Sequence, residues 1–138
     1  MAQVILDTVA YNALLEGNKT VVEVINSAKE LVMPFVVIGE LKYGYLKGSR
    51  REHNEQTLEQ FLSQPYVRVE LARVETAAHY AELYVYAERR GRALSHNDLW
   101  IAALAKETGL PLVTLDKDFV VFEEILGKQL HILPTQNH

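Results

Sequence analysis

The sequence predicts an α/β layer fold with a mostly parallel central sheet and helices on both faces. Short apolar runs of strand length, at residues 4–6, 31–33, 67–69 and 112–115, alternate with amphipathic stretches of helical length. Strands spaced in this way are joined by crossovers, which makes them parallel. The chain has 138 residues, 49% of them apolar, so one hydrophobic core suffices and the composition is far from that of a disordered chain.

The elements follow in order. Val4, Ile5 and Leu6 form a run too short for a helix, and Asp7-Thr8 is a potential helix cap directly behind it. Residues 9–15 read as a helix ending near Gly17, and residues 19–28 as a second, with Val21, Val22, Val24 and Ile25 apolar. Residues 31–33 are the second strand. Pro34 suits the first turn of the next helix, where its missing N–H costs nothing, and Val37, Leu41 and Tyr45 then recur every four residues. Glu40 therefore lies on a helix. Residues 50–62 are amphipathic with Leu58, Phe61 and Leu62 inward, and residues 67–69 are a strand. A long helix over 74–90 stops at Gly91. Ser95 to Asp98 supply a cap and a first-turn acid for a helix over 99–108, with Gly109 and Pro111 as stop signals. Residues 112–115 are the fourth strand, Asp116-Lys117-Asp118 an acid-rich turn, and residues 131–133 a last short strand.

Composition excludes several functions. With 14 basic and 18 acidic side chains the net charge is -4, so any nucleic-acid contact is local rather than a general coat. Cysteine is absent, which removes disulfides, thiolate nucleophiles and cysteine-rich zinc sites and fits a reducing compartment. Apolar runs are too short to cross a membrane, and the N-terminus lacks the pattern of a signal peptide. The expectation is a soluble, cytoplasmic protein.

In open α/β sheets, ligands sit beyond the carboxyl ends of the strands. Asp7 follows the first strand and Asp116 the fourth, so both should emerge at one edge. Asp98 opens the helix that feeds the fourth strand, and Glu40 lies on the helix after the second. The topology can thus gather Asp7, Glu40, Asp98 and Asp116 in one cleft, although spacing alone would not single them out.

The residues around these acids resemble a known family. Ile-Leu-Asp-Thr at 5–8, Gly-Glu-Leu-Lys-Tyr-Gly at 39–44, His-Asn-Asp-Leu-Trp-Ile-Ala-Ala at 96–103 and Leu-Val-Thr-Leu-Asp-Lys-Asp-Phe at 112–119 look like the PIN domain, specifically its VapC toxin branch. The resemblance covers almost the whole chain in order. It implies a PIN-like three-layer fold over residues 1–134, with 135–138 a polar tail. It further implies an endoribonuclease dependent on Mg2+ or Mn2+, the toxin of a toxin-antitoxin pair, bound by a small cognate antitoxin and commonly homodimeric. Asp7, Glu40, Asp98 and Asp116 take the family's acidic positions, with Asp7, Asp98 and Asp116 as metal ligands. Asp118 is a possible fifth acid, and Thr114 and, more weakly, Thr8 are supporting hydroxyls. The family often has Ser or Asn shortly after the first acid, where this chain has Val9 and Ala10.

Clustered carboxylates make chemical sense for this activity. Hard divalent cations prefer oxygen ligands, and a bound cation can acidify water and offset charge on a phosphodiester. Each residue also has a plainer role. Singly, Asp7 and Asp98 are helix-cap or first-turn acids, Glu40 a solvated helix position, and Asp116 and Asp118 turn formers. His96 reads as surface. Lys42, Lys47, Arg50, Arg51, Arg89, Arg90 and Arg92 are mostly solvated helix surface that could also steer phosphates. Tyr43 and Tyr45 could stack on unpaired bases, with core or partner contact the stronger reading, and Tyr80 and Tyr84 share one helix face and read as packing at a core or dimer seam. Apolar surface at residues 21–25 and 61–62 is where an antitoxin helix would dock. Two rivals stand beside the nuclease: a catalytically inactive PIN-fold module that binds RNA or protein, and a phosphotransfer domain with Asp7 as nucleophile.

Overall fold

A computed structural model describes residues 2–135; the end of the expected polar tail, 136–138, lies outside the described residues. Five strands form one sheet: β1 (Gln3–Leu6), β2 (Glu30–Pro34), β3 (Val67–Glu70), β4 (Leu112–Thr114) and β5 (Leu130–Ile132). Their order is β3-β2-β1-β4-β5, and every pairing is parallel. Successive connections step outward from β1 to β3, then return to the far side of β1. The switch point therefore falls between β1 and β4, where open α/β sheets leave a crevice at the carboxyl edge.

Between β1 and β2 run α1 (Thr8–Leu15) and α2 (Lys19–Asn26), and between β2 and β3 run α3 (Phe35–Lys47) and α4 (Arg51–Leu62). Helices α5 (Val74–Arg89) and α6 (His96–Thr108) make the return to β4. Right-handed crossovers in opposite directions put helices on both faces of the sheet, and α3 also packs against α6. Val4, Ile5 and Leu6 of the central strand are wholly buried, as expected of a parallel strand covered on both sides. Helix α6 is buried almost throughout, from Leu99 through Ile101 to Ala105, and its three alanines let neighbours approach closely. Gly109 ends it with φ 71°, a left-handed conformation that glycine adopts without a Cβ penalty.

Two local expectations change. Pro34 closes β2 in extended conformation and precedes α3 rather than sitting in its first turn; its ring still leaves no orphan N–H at that junction. Between Asp116 and β5 the chain forms a 3-10 segment over Lys117–Phe122 and a one-turn helix, α7 (Glu123–Leu126), which periodicity did not indicate. Phe119 and Phe122 from this stretch are fully buried. Of the expected docking surface on α2 and α4, Val21 is buried, while Val24, Ile25, Phe61 and Leu62 are partly buried against the core and Ile25 and Phe61 line a surface groove with Leu14 and Tyr66. Phe61 meets the ring of Tyr11 edge-on at 5.1 Å.

Candidate active site

Register builds the centre of the site. Leu6 of β1 pairs with Val113 of β4, so one step further Asp7 stands opposite Thr114 at the sheet's carboxyl edge. Thr114 is completely buried, and its hydroxyl donates to Asp7 Oδ2. The same oxygen of Thr114 accepts the Asp116 N–H at 2.9 Å. One hydroxyl thus ties the acid after β1 to the acid after β4.

Asp7 is itself the N-cap of α1, its Oδ1 accepting the Ala10 N–H at 2.8 Å. A cap of this kind contributes about 1 kcal/mol, so the structural role is real and coexists with any chemical one. Only 2% of Asp7 is exposed. Burial pushes its carboxyl up to about 6; the bonds from Thr114 and Ala10 pull the other way, and the charges of Asp116 and Glu40 add to the rise.

Thr8, the residue after Asp7, reaches across to α3, where its hydroxyl donates to Glu40 Oε1 at 2.9 Å. Asp98 lies in the first turn of α6, below the cap formed by Ser95, whose hydroxyl accepts the Asp98 N–H at 3.1 Å. Its carboxyl is also pushed up to about 6, by burial first and then by Asp116, Glu40 and Asp7, against the bond to Ser95. Asp116 is held from behind, its Oδ1 accepting the Asp118 N–H at 2.9 Å. Asp118's own carboxylate is exposed, and its backbone N–H is what bonds to the cluster.

The structure therefore brings Asp7, Glu40, Asp98 and Asp116 into one mutually repelling group, with Thr114 and Thr8 as the hydroxyls between them. Among the described residues no three acidic or histidine side chains form a ready-made metal cage. Two bare carboxylates about 4 Å apart repel by roughly 4 kcal/mol at an effective dielectric of 20, so a cation among these acids would relieve their repulsion. The donor set is all oxygen, anionic and partly desolvated, which fits a hard divalent cation and does not fit a soft one. Sequence reasoning passed over Phe35, Asn97 and Trp100, which with Glu40 line a groove beside the acids. The only advance signal was a lone tryptophan two residues after Asp98.

A parallel sheet with four acids from separate elements gathered near its switch point defines a class of α/β proteins suited to binding a hard cation. The PIN domain model matches residues 4–125, and the chain belongs to the PIN domain family. Within that family its relatives are VapC ribonucleases. It is 31% identical over 88 residues to Ribonuclease VapC5 of Mycobacterium tuberculosis, covering 64% of this chain and 65% of that protein. Against Ribonuclease VapC2 of Rickettsia felis it is 31% identical over 94 residues, 67% of each chain. The matched stretch thus spans about two thirds of these relatives' length. A chain in the crystal structure of DNA-bound VapBC from Salmonella typhimurium superposes with a TM-score of 0.77 at 25% identity, covering 95% of this chain and 98% of that one.

Proposed function

We propose that this chain is a metal-dependent endoribonuclease, the toxin of a toxin-antitoxin pair, and that residues 1–134 form its single PIN domain. The observation that carries the reading is the meeting of Asp7, Glu40, Asp98 and Asp116 at the switch point, with Asp7 and Asp98 each burdened by the others' charge. The VapC names of its relatives and the VapBC assembly of the Salmonella structure support the activity and the partner. No described helix is long and apolar enough to cross a membrane, and we place the activity in the cytoplasm.

Asp7, Asp98 and Asp116 would hold the cation, and Mg2+ or Mn2+ is the choice that the oxygen donors favour. Such an ion, when bound, supplies an acidified water and offsets negative charge on the phosphodiester. The protein's own groups do the rest. Thr114 fixes the Asp7 carboxylate through a buried hydrogen bond and so sets where the ligand oxygen points. Thr8 fixes Glu40, leaving one of its oxygens free to accept a proton from, or orient, the attacking water. Ser95 and Asp118 hold Asp98 and Asp116 through backbone bonds. Asp7 is poorly suited to be a phosphotransfer nucleophile, because Leu6 and Val9 stand where such a domain would carry a paired acid. The chain would act as a homodimer and be silenced by its cognate antitoxin.

The test is incubation of purified protein with labelled RNA pools, with Mn2+ or with chelator, beside an Asp98→Asn variant. Cutting that needs the metal and disappears in the variant is the expected result. Metal-independent cutting that survives in Asp98→Asn would remove the reading. Coexpression with the neighbouring small open reading frame should yield a complex and relieve toxicity.

A further inference from the structure

A groove of about 520 Å³ runs beside the acids between α3 and the start of α6, lined by Phe35, Gly39, Glu40, Tyr43, Asn97 and Trp100. Glu40 belongs both to this groove and to the acid cluster, so the two are continuous. Phe35, Gly39 and Tyr43 recur every fourth residue and share one face of α3. The two rings on that face are open, Phe35 at 47% and Tyr43 at 63% exposure.

The opposite wall is Trp100. Its indole stacks on Tyr80, with 4.1 Å between centroids and 19° between planes. The Tyr80 hydroxyl in turn bonds His96 Nδ1 at 2.6 Å. Tyr80 does not line the groove, whereas Trp100 does, so the indole is braced from behind. Gly39 keeps the floor clear: a Cβ added there would meet nothing within 4 Å, although glycine is a poor helix former. Beyond Tyr43, the Lys47 ammonium sits 5.1 Å from its ring centroid and donates to its hydroxyl at 3.2 Å.

We infer that this groove is a subsite for an unpaired nucleobase of the RNA strand cut at the acids, an inference that rests on the nuclease reading above. Aromatic walls offer stacking surfaces to a flat ring. Asn97 carries both donors and an acceptor with which to meet a base edge. Lys47 offers a cation to a neighbouring phosphate. A base seated here sets its adjoining phosphate against Glu40, and so selects which bond is cut. An apolar partner helix is the poorer occupant, because a carboxylate and an amide stand in the wall and would lose water without a matching group.

Trp100 is the sole tryptophan, so its fluorescence reports on this groove alone. The experiment titrates the full chain, in chelator to prevent turnover, with a short single-stranded oligoribonucleotide, and repeats it with Gly39→Leu and Tyr43→Ala. Gly39→Leu fills the groove from a helix position with open space around it, and thermal melting checks that both variants stay folded. Saturable quenching is expected in the parent, with affinity about five- to hundredfold weaker in each variant. Unchanged quenching and affinity in both folded variants would overturn the subsite. So would a Trp100 signal that follows protein concentration or added antitoxin but ignores RNA. Parent protein that cuts RNA with Mn2+ yet shows no quenching removes the subsite and leaves the nuclease. Quenching lost in Gly39→Leu, in protein that cuts nothing, supports the subsite and removes the nuclease.

Discussion

Replacing Asp7 with Asn should make the metal-free protein more stable while abolishing its activity. Asp7 is 2% exposed, and its carboxyl is raised from 3.8 to about 6, chiefly by burial. Each pKa unit corresponds to about 1.4 kcal/mol, so about two units amount to roughly 3 kcal/mol held against the folded state once Asp7 is ionised. Asn keeps the helix cap, being as good an N-cap as Asp, but receives a neutral bond from Thr114 in place of a charge-assisted one. The net gain is therefore about 1–3 kcal/mol, or roughly 3–10 °C in Tm for a chain of this size. The sign of the pH dependence follows from the raised value. A carboxyl that holds its proton more tightly when folded adds stability that is complete below the unfolded value, near 3.8. That stability is lost as pH rises through the folded value, about 6. The gap between Asp7→Asn and parent should thus be widest at about pH 8 and close at about pH 4. The assay is thermal melting of both proteins in chelator across that range. An Asn variant that melts at or below the parent at the alkaline end, with no convergence in acid, would refute the argument.

Thr114→Val removes a wholly buried hydroxyl and leaves the Asp116 N–H without its acceptor; melting should show a loss of about 1–3 kcal/mol, with activity restored by Thr114→Ser. Thr8→Val frees Glu40 from its 2.9 Å bond at a half-buried site; stability should change by less than about 1 kcal/mol, while the RNA-cutting rate falls and Thr8→Ser rescues it. Mn2+ or Mg2+ should raise the parent's Tm, a ligand at about a hundred times its dissociation constant adding roughly 2.7 kcal/mol, and calorimetry should show this effect vanish in Asp7→Asn.

The strands were legible because a buried parallel sheet needs continuous apolar runs, and Val4 to Leu6 could be little else. Once β1 and β4 were located, the carboxyl-edge rule brought Asp7 and Asp116 together before any contact was known. Glu40 and Asp98 needed the family resemblance, because an acid on a helix looks the same in sequence whether it faces solvent or a cleft. The segment from Lys117 to Leu126 escaped notice because one 3-10 stretch and a single helical turn are shorter than any window in which periodicity can be seen. In a layered fold the apolar stripe of a helix packs on the sheet, as Val21 does, while Ile25 and Phe61 are only partly covered and line a surface groove between α2 and α4. The exposed rings of Phe35 and Tyr43 sit on a helix whose apolar residues go round more than one face, so sequence pattern could not say which were left over. Of the two tyrosines weighed together, Tyr45 packs against the core while Tyr43 stays open.

Four carboxylates, Asp7 after β1, Glu40 on α3, Asp98 on α6 and Asp116 after β4, must act as one cation site for the proposed activity. Anomalous diffraction from crystals grown with Mn2+ tests this most directly. A manganese peak bridging Asp7, Asp98 and Asp116, with Glu40 facing it, is the predicted result. Manganese bound elsewhere on the surface, with those side chains turned away from any shared ion, would contradict it.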